Sequence, residues 1–268
     1  SAQTFTITFD AGDPIGGRPV PTSRHGSTAR ADPRRLGAVM GRRGWWGLLA
    51  GMAVVSVVRQ LTWAIARSPE TLMRRAPTDD AFIYLALAEH APRPEFSDGI
   101  ATTGFHPLYW ALLVPVVHAF DGIAAVRAML VLCVLLHVLS GALLFRALSR
   151  RFEALPAFAG AALWLVLPGA RTIVVMGVES ALLSCCLAGL LVVVLDPSPP
   201  TRRSAVLVGA LVGLCYLART DSPLVTLPLV AAWTWRGPQR NVAAAGRSIV
   251  TSGLVALAVA SPWLAYGA

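Results

Sequence analysis

Residues 123–147 read IAAVRAMLVLCVLLHVLSGALLFRA, a run of 25 residues dominated by apolar side chains. A helix needs about 20 residues to cross a hydrocarbon layer ~30 Å thick, and this run is long enough. A soluble helical bundle would show polar faces at helical period, and most of the apolar runs in this chain show none. Such runs recur at 45–66, 106–120, 154–170, 180–195, 204–218, 221–235 and 248–266. The whole chain is 55% hydrophobic and 14% charged, with a mean hydropathy of +0.62. Soluble domains carry roughly 25% charged residues. The fold class that follows is all-α, a polytopic transmembrane helical bundle.

The charge is unevenly made but evenly spread. All 23 basic residues are arginine, which points to a GC-rich genome and hence a bacterium. The formal charge of +9 is distributed between apolar segments, with no basic domain able to cover a nucleic acid. Cys133, Cys185, Cys186 and Cys215 lie inside apolar runs at no zinc-like spacing, and read as packing residues. Residues 1–39 are rich in Gly, Pro, Ser, Thr and Arg and predict a disordered N-terminal extension. Met40 and the basic, aromatic stretch after it resemble a natural start, so residues 40–268 form the expected membrane domain. The chain stops at Ala268 in or just after an apolar run, as a C-terminally truncated fragment would.

Arginine placement orients the spans, because short cytoplasmic loops collect positive charge. Arg42 and Arg43 put the start of the first span inside. The clusters Arg146, Arg150 and Arg151, then Arg202 and Arg203, then Arg236, Arg240 and Arg247 all fall inside only if 106–120 does not cross. That segment is short, opens on His106-Pro107 and contains Pro115, which suits a helix lying at the interface. Seven spans are therefore expected, with an outer loop over about 67–122. Asp79, Asp80, Glu89, Glu95, Asp98, Glu179 and Asp221 then share the outer face.

Four short stretches carry the chemistry. In TDDAFIYLALAEH, residues 78–90, Thr78, Asp79 or Asp80 can cap the helix that follows. A cap accounts for one acid comfortably and for the second less well. In the functional reading one carboxylate caps or binds a metal while the other faces a substrate. Adjacent carboxylates also split each other's pKa values, which suits acid/base work. In TTGFHPLYW, residues 102–110, the aromatics Phe105, Tyr109 and Trp110 suit a membrane interface, while His106 is placed to hydrogen-bond or ligate near the aspartates. In MGVESALL, residues 176–183, Glu179 is either a helix N-terminal acid or a site residue. In LARTDSPL, residues 217–224, Arg219 and Asp221 form either a local ion pair or, with Arg171, a seat for an anionic lipid headgroup. Arg59, inside the first span, either snorkels or faces the protein, and His118 and His137 on apolar segments read as satisfied or interface-facing histidines, not ligands.

Taken in that order, these four stretches resemble the GT-C superfamily of integral-membrane glycosyltransferases, especially bacterial arabinofuranosyltransferase- and mannosyltransferase-like members. The likeness covers about 40–268, the N-terminal transmembrane half of such enzymes. It implies inverting transfer of a sugar from a polyprenyl-phosphate donor to a hydroxyl of a glycan, lipid or protein acceptor, outside the bacterial cytoplasmic membrane. It implies Asp79 as catalytic base with Asp80 as the adjacent acid, while His106, Arg171, Arg219 and Asp221 are, from their own placement, the expected substrate contacts. The departing phosphate would be stabilised by Arg219 and Arg171 or by a divalent metal (Mg or Mn) held by Asp80, Glu179 or His106, the one cofactor expected. The chain departs from the pattern at Ala86, where relatives carry an arginine, and in lacking their C-terminal half. The rival expectation is a lipid-linked-sugar flippase or another polytopic transporter, which would place ionisable groups at the bilayer midplane on broken helices.

Overall fold

The computed structural model describes residues 41–75, 77–95, 102–235 and 242–267, without the side chains of Arg42, Arg75 and Arg171. The expected disordered stretch at 1–39, together with Asp98, Arg236 and Arg240, lies outside the described residues. The described chain is helical, with α1 (Arg42–Ala66), α2 (Pro69–Arg75), α3 (Asp79–Glu89), α4 (Pro107–Ala119), α5 (Gly122–Leu148) and α6 (Ala154–Val166). It continues through α7 (Pro168–Val175), α8 (Ser180–Val194), α9 (Arg202–Ala218), α10 (Pro223–Thr234) and α11 (Val242–Tyr266).

Length separates these helices into two groups. Among the described residues, Arg43–Ala66 of α1, then α5 and α11, are long and apolar enough to cross a membrane. The bent pair α6–α7 makes a fourth if it is one span. The remaining expected spans are shorter, at 15 residues for α8, 17 for α9 and 12 for α10. Seven full-length spans are therefore not what the helix lengths give. Proline and glycine explain where the runs stop. Leu167 is extended because Pro168 follows it, and the chain bends by 54° there. Gly177, at φ +66, separates α7 from α8, and Pro223 sets the start of α10.

Side-chain contacts sort the loops onto two ends of the bundle. At one end Trp45 packs on Phe158, and Trp46 meets Phe145 edge-on at 4.6 Å. Arg150 pairs there with Asp196, and Arg151 Nε donates to the Leu195 carbonyl at 2.9 Å. This is the arginine-rich end. At the other end Arg127 donates to the Arg67 carbonyl, tying the start of α5 to the end of α1. Helix α4 starts beside Tyr84, whose hydroxyl accepts from the His106 N–H at 3.2 Å, and stops two residues before α5. Both ends of α4 thus stay at this second end, which also carries Asp79, Asp80, Glu179 and Asp221.

Three apolar clusters hold the bundle. The largest joins α3, α4, α5 and α8 through Tyr84, Leu87, Tyr109, Leu113, Met129 and Ala181. Phe105 and Tyr109, expected at a membrane interface, are instead buried at 5% and 0% exposure. The reason is local. Helices α3 and α4 are short and depend on each other for a core, and the Tyr109 hydroxyl finds a buried acceptor in the Gly177 carbonyl at 2.8 Å. Outward faces remain apolar, as on α11, where Val250, Leu254 and Leu257 are 60%, 64% and 59% exposed. Such faces suit a lipid bilayer.

Helices α9 and α11 approach closely because glycines face a partner helix. A Cβ on Gly209 would strike the Ser252 carbonyl, and one on Gly213 would lie 2.7 Å from Val259 Cβ. Ser252 Oγ donates to the Ala205 carbonyl at 3.0 Å in the same seam. Close small-residue contact of this kind drives association in lipid, where burial against water does not. Gly209→Leu should therefore part α11 from α9. Thermal unfolding in detergent should fall clearly below wild type, whereas Gly253→Leu, with open space around its Cβ, should change little.

Candidate functional site

The second end of the bundle brings together side chains from four separated segments. The centre is Glu179, the residue before α8, 7% exposed in all. Its carboxylate does not cap α8 by a side-chain hydrogen bond. It faces Arg219 instead, with Nη1 at 3.6 Å from Oε1, and His106, with Nε2 at 3.8 Å. The helix-terminal role considered for Glu179 is thus displaced by an inward one.

Arg219 closes α9 and is held on two sides. Its Nε and Nη2 donate to the two oxygens of Asp221 at 3.0 and 3.1 Å, the paired geometry that guanidinium and carboxylate favour. The local ion pair considered from sequence is therefore present, and it coexists with the contact to Glu179. The Asp221 carboxyl is pulled down by that guanidinium. Burial pushes the His106 imidazole below its usual range, with Arg219 adding to the effect against Glu179 and Asp221. A neutral His106 makes its 3.8 Å approach to Glu179 a polar contact and leaves Arg219 as the cation of the group. One guanidinium between two carboxylates leaves the cluster net negative.

Helix α3 presents Asp80 and Tyr84, one turn apart, toward this cluster. Burial, and then the charge of Glu179, push the Tyr84 phenol above its ordinary value, with a smaller contribution from Asp80. Tyr84 remains a neutral hydroxyl between the two acids. The start of α3 is tied to the same loop, since the Thr78 N–H donates to the Met176 carbonyl at 3.2 Å. Thr78 Oγ1 also donates to that carbonyl, and no side-chain bond caps the helix. Asp79 and Asp80 are exposed, and among the described residues their carboxylates make no hydrogen bond or ion pair. The capping explanation for the aspartates thus loses its geometric support, apart from the favourable field of the helix end.

The metal expectation meets a different arrangement. The groups touching Glu179 are an imidazole and a guanidinium, and no three His, Cys, Asp or Glu side chains converge among the described residues. A guanidinium on the carboxylate suits an ion pair better than a divalent cation. Arg171 lies in α7, and its side chain is outside the described residues. His118 turns back to the Val114 carbonyl, and His137 is fully buried 5.3 Å from the Trp164 ring.

Two site residues escaped sequence reasoning. Tyr84 was hidden within an aromatic-looking helix, although its position four residues after Asp80 was the available signal. Gly177 gave none, because a left-handed backbone is not visible in the letter G. Comparison with known proteins finds no matching family model, no matching curated protein and no matching solved structure.

Proposed function

We propose that this chain forms the transmembrane domain of a GT-C-type glycosyltransferase. It moves a sugar from a polyprenyl-phosphate donor to an acceptor hydroxyl on the outer face of a bacterial cytoplasmic membrane. The observation that carries the reading is the meeting of Asp80, Tyr84, His106, Glu179 and Arg219 at the end of the bundle away from the arginine-rich loops. We assign that end to the outside because the positive-inside rule puts the arginine-rich loops at the other end in the cytoplasm.

The exposed, unpaired Asp79 is the base. It takes the acceptor proton as the acceptor oxygen bonds to the anomeric carbon from the face opposite the phosphate. The bond from that carbon to the phosphate oxygen breaks, and its electron pair leaves with the phosphate, inverting the centre. Arg219 stabilises the departing phosphate. Glu179 and Asp221 hold it in place until the donor arrives, and Asp221, the more exposed partner, is the one displaced. Asp221→Asn should therefore lower the donor KM by about two- to fivefold, the worth of an exposed ion pair, with little change in kcat. Steady-state transfer against donor concentration reads this directly, and an unchanged or higher KM would remove Asp221 from the donor's path.

A second reading has one observation in its favour. The 54° break between α6 and α7 lies near Ser56 and Gln60, and Ser56 Oγ donates to the buried Leu165 carbonyl at 3.1 Å. Polar groups at a broken span are what a lipid-linked-sugar flippase requires. Proteoliposomes carrying a labelled polyprenyl-phosphate sugar separate the two. The enzyme consumes donor only when acceptor is added, whereas a flippase moves donor between leaflets with the sugar–phosphate bond intact.

A further inference from the structure

Helix α1 carries a groove that the proposed reaction does not use. Gly47, Gly51, Val55 and Arg59 follow one another at intervals of four, the spacing of a surface row on a helix. With Leu165 of α6 they line an open cavity of about 380 Å³. Neither Gly47 nor Gly51 would bring a Cβ within 4 Å of another residue, so the missing side chains leave real space.

Two polar groups mark one end of this apolar slot. Arg59 is exposed, and among the described residues it has no hydrogen bond or ion pair, although it lies within a membrane-spanning helix. Gln60 is 7% exposed; its Nε2 donates to Ser56 Oγ at 2.8 Å, but its buried Oε1 has no partner. A cation and a buried acceptor oxygen without a donor, at the end of a greasy slot, describe a ligand with an anionic, hydroxyl-bearing head and an apolar tail.

The dimensions and charge choose among such ligands. From Arg59 to Gly51 the helix rises ~12 Å, within the ~15 Å of one hydrocarbon leaflet. Arg59 lies seven residues, or ~10 Å, before the end of α1 at Ala66, within snorkelling reach of the headgroups on the acid-bearing side. A second copy packed symmetrically along this row would set Arg59 against Arg59 in a low-dielectric layer, which costs energy. An anion is favoured there, and a guanidinium takes phosphate oxygens in paired fashion.

We propose that this groove binds one acidic glycerophospholipid of the leaflet on the acid-bearing side. Its phosphate sits on Arg59, a hydroxyl of its headgroup donates to Gln60 Oε1, and one acyl chain lies along Val55 and Gly51. The site is separate from the Glu179 cluster and does not depend on glycosyl transfer.

Native mass spectrometry of the full chain, released from nanodiscs of phosphatidylcholine and phosphatidylglycerol at 3:1, tests this. Wild type should retain one phosphatidylglycerol in preference to phosphatidylcholine. Arg59→Gln should lower that retention at least about tenfold, the loss of charge-assisted hydrogen bonds. Gly51→Leu, which fills the slot and leaves Arg59 in place, should do the same without unfolding the protein. Equal retention in either variant overturns the proposal. So does displacement of the glycerophospholipid by equimolar polyprenyl monophosphate, which would make the groove a donor seat, or crosslinking of Gly47→Cys into dimers that Arg59→Gln leaves intact.

Discussion

Asp79→Asn is expected to reach the membrane at normal levels, to fold as wild type does, and to transfer sugar at least a hundredfold more slowly. A base that removes an acceptor proton contributes typically 10²- to 10⁴-fold, or about 3 to 5 kcal/mol of barrier. Against that, the stability at risk is small. Asp79 is exposed and bonds to nothing, and Thr78, not Asp79, holds the N-cap position of α3. What remains is its attraction to the helix end, about 0.3–1 kcal/mol for a surface carboxylate. Asparagine keeps the shape and loses the proton acceptor, so the large kinetic effect and the small structural one come apart in a single variant. Asp80→Asn should fall less, because Asp80 faces Tyr84 and the Glu179 cluster. A transfer assay with full-length protein and polyprenyl-phosphate sugar decides between the roles. Near wild-type turnover in Asp79→Asn would mean that some other group takes the proton, and the exposed aspartates would revert to helix-end acids.

The bundle was legible from the apolar runs because burial in lipid leaves a one-dimensional trace. Helices α5 and α11 follow the runs at 123–147 and 248–266, α11 beginning several residues earlier. The breaks were less legible. Pro168 was visible inside the run 154–170, yet a proline in a membrane helix can either kink it or end it, and only neighbours such as Ser56 decide which. At the site, the ionisable members were recognisable because His106, Glu179, Arg219 and Asp221 are costly in an apolar chain. Their pairing was not, since the contact of Arg219 with both Glu179 and Asp221 depends on how α8 and α9 meet. The aromatics misled for the same reason. Phe105 and Tyr109 look alike in a core and in an interface, and tertiary packing put them in the core.

Gly177→Val should produce the largest loss of stability among the substitutions near the site. The residue has φ +66, a backbone region that costs non-glycine residues roughly 1–2 kcal/mol and β-branched ones more. Space is also lacking. A Cβ there would lie 2.6 Å from Met129 Cε and 3.3 Å from Ala81 Cβ. The methionine end can swing away, but Ala81 is fixed on α3 and buried at 0% exposure, so crowding adds about 1–3 kcal/mol. Together these amount to roughly 2–5 kcal/mol, or a fall in Tm on the order of 10 °C. Gly177→Ala, which is strained but not branched, should lose less. The consequence for the site is specific, because this turn carries three of its supports: the Met176 carbonyl that holds Thr78, the Gly177 carbonyl that holds Tyr109, and Glu179 two residues on. At a temperature where Gly177→Val is still folded, transfer should therefore drop with the loss of Glu179 placement, and phospholipid retention at Arg59 should stay as in wild type. Unfolding of Gly177→Val at the wild-type temperature would mean that the turn yields freely, and that α3 is held against α8 by other contacts.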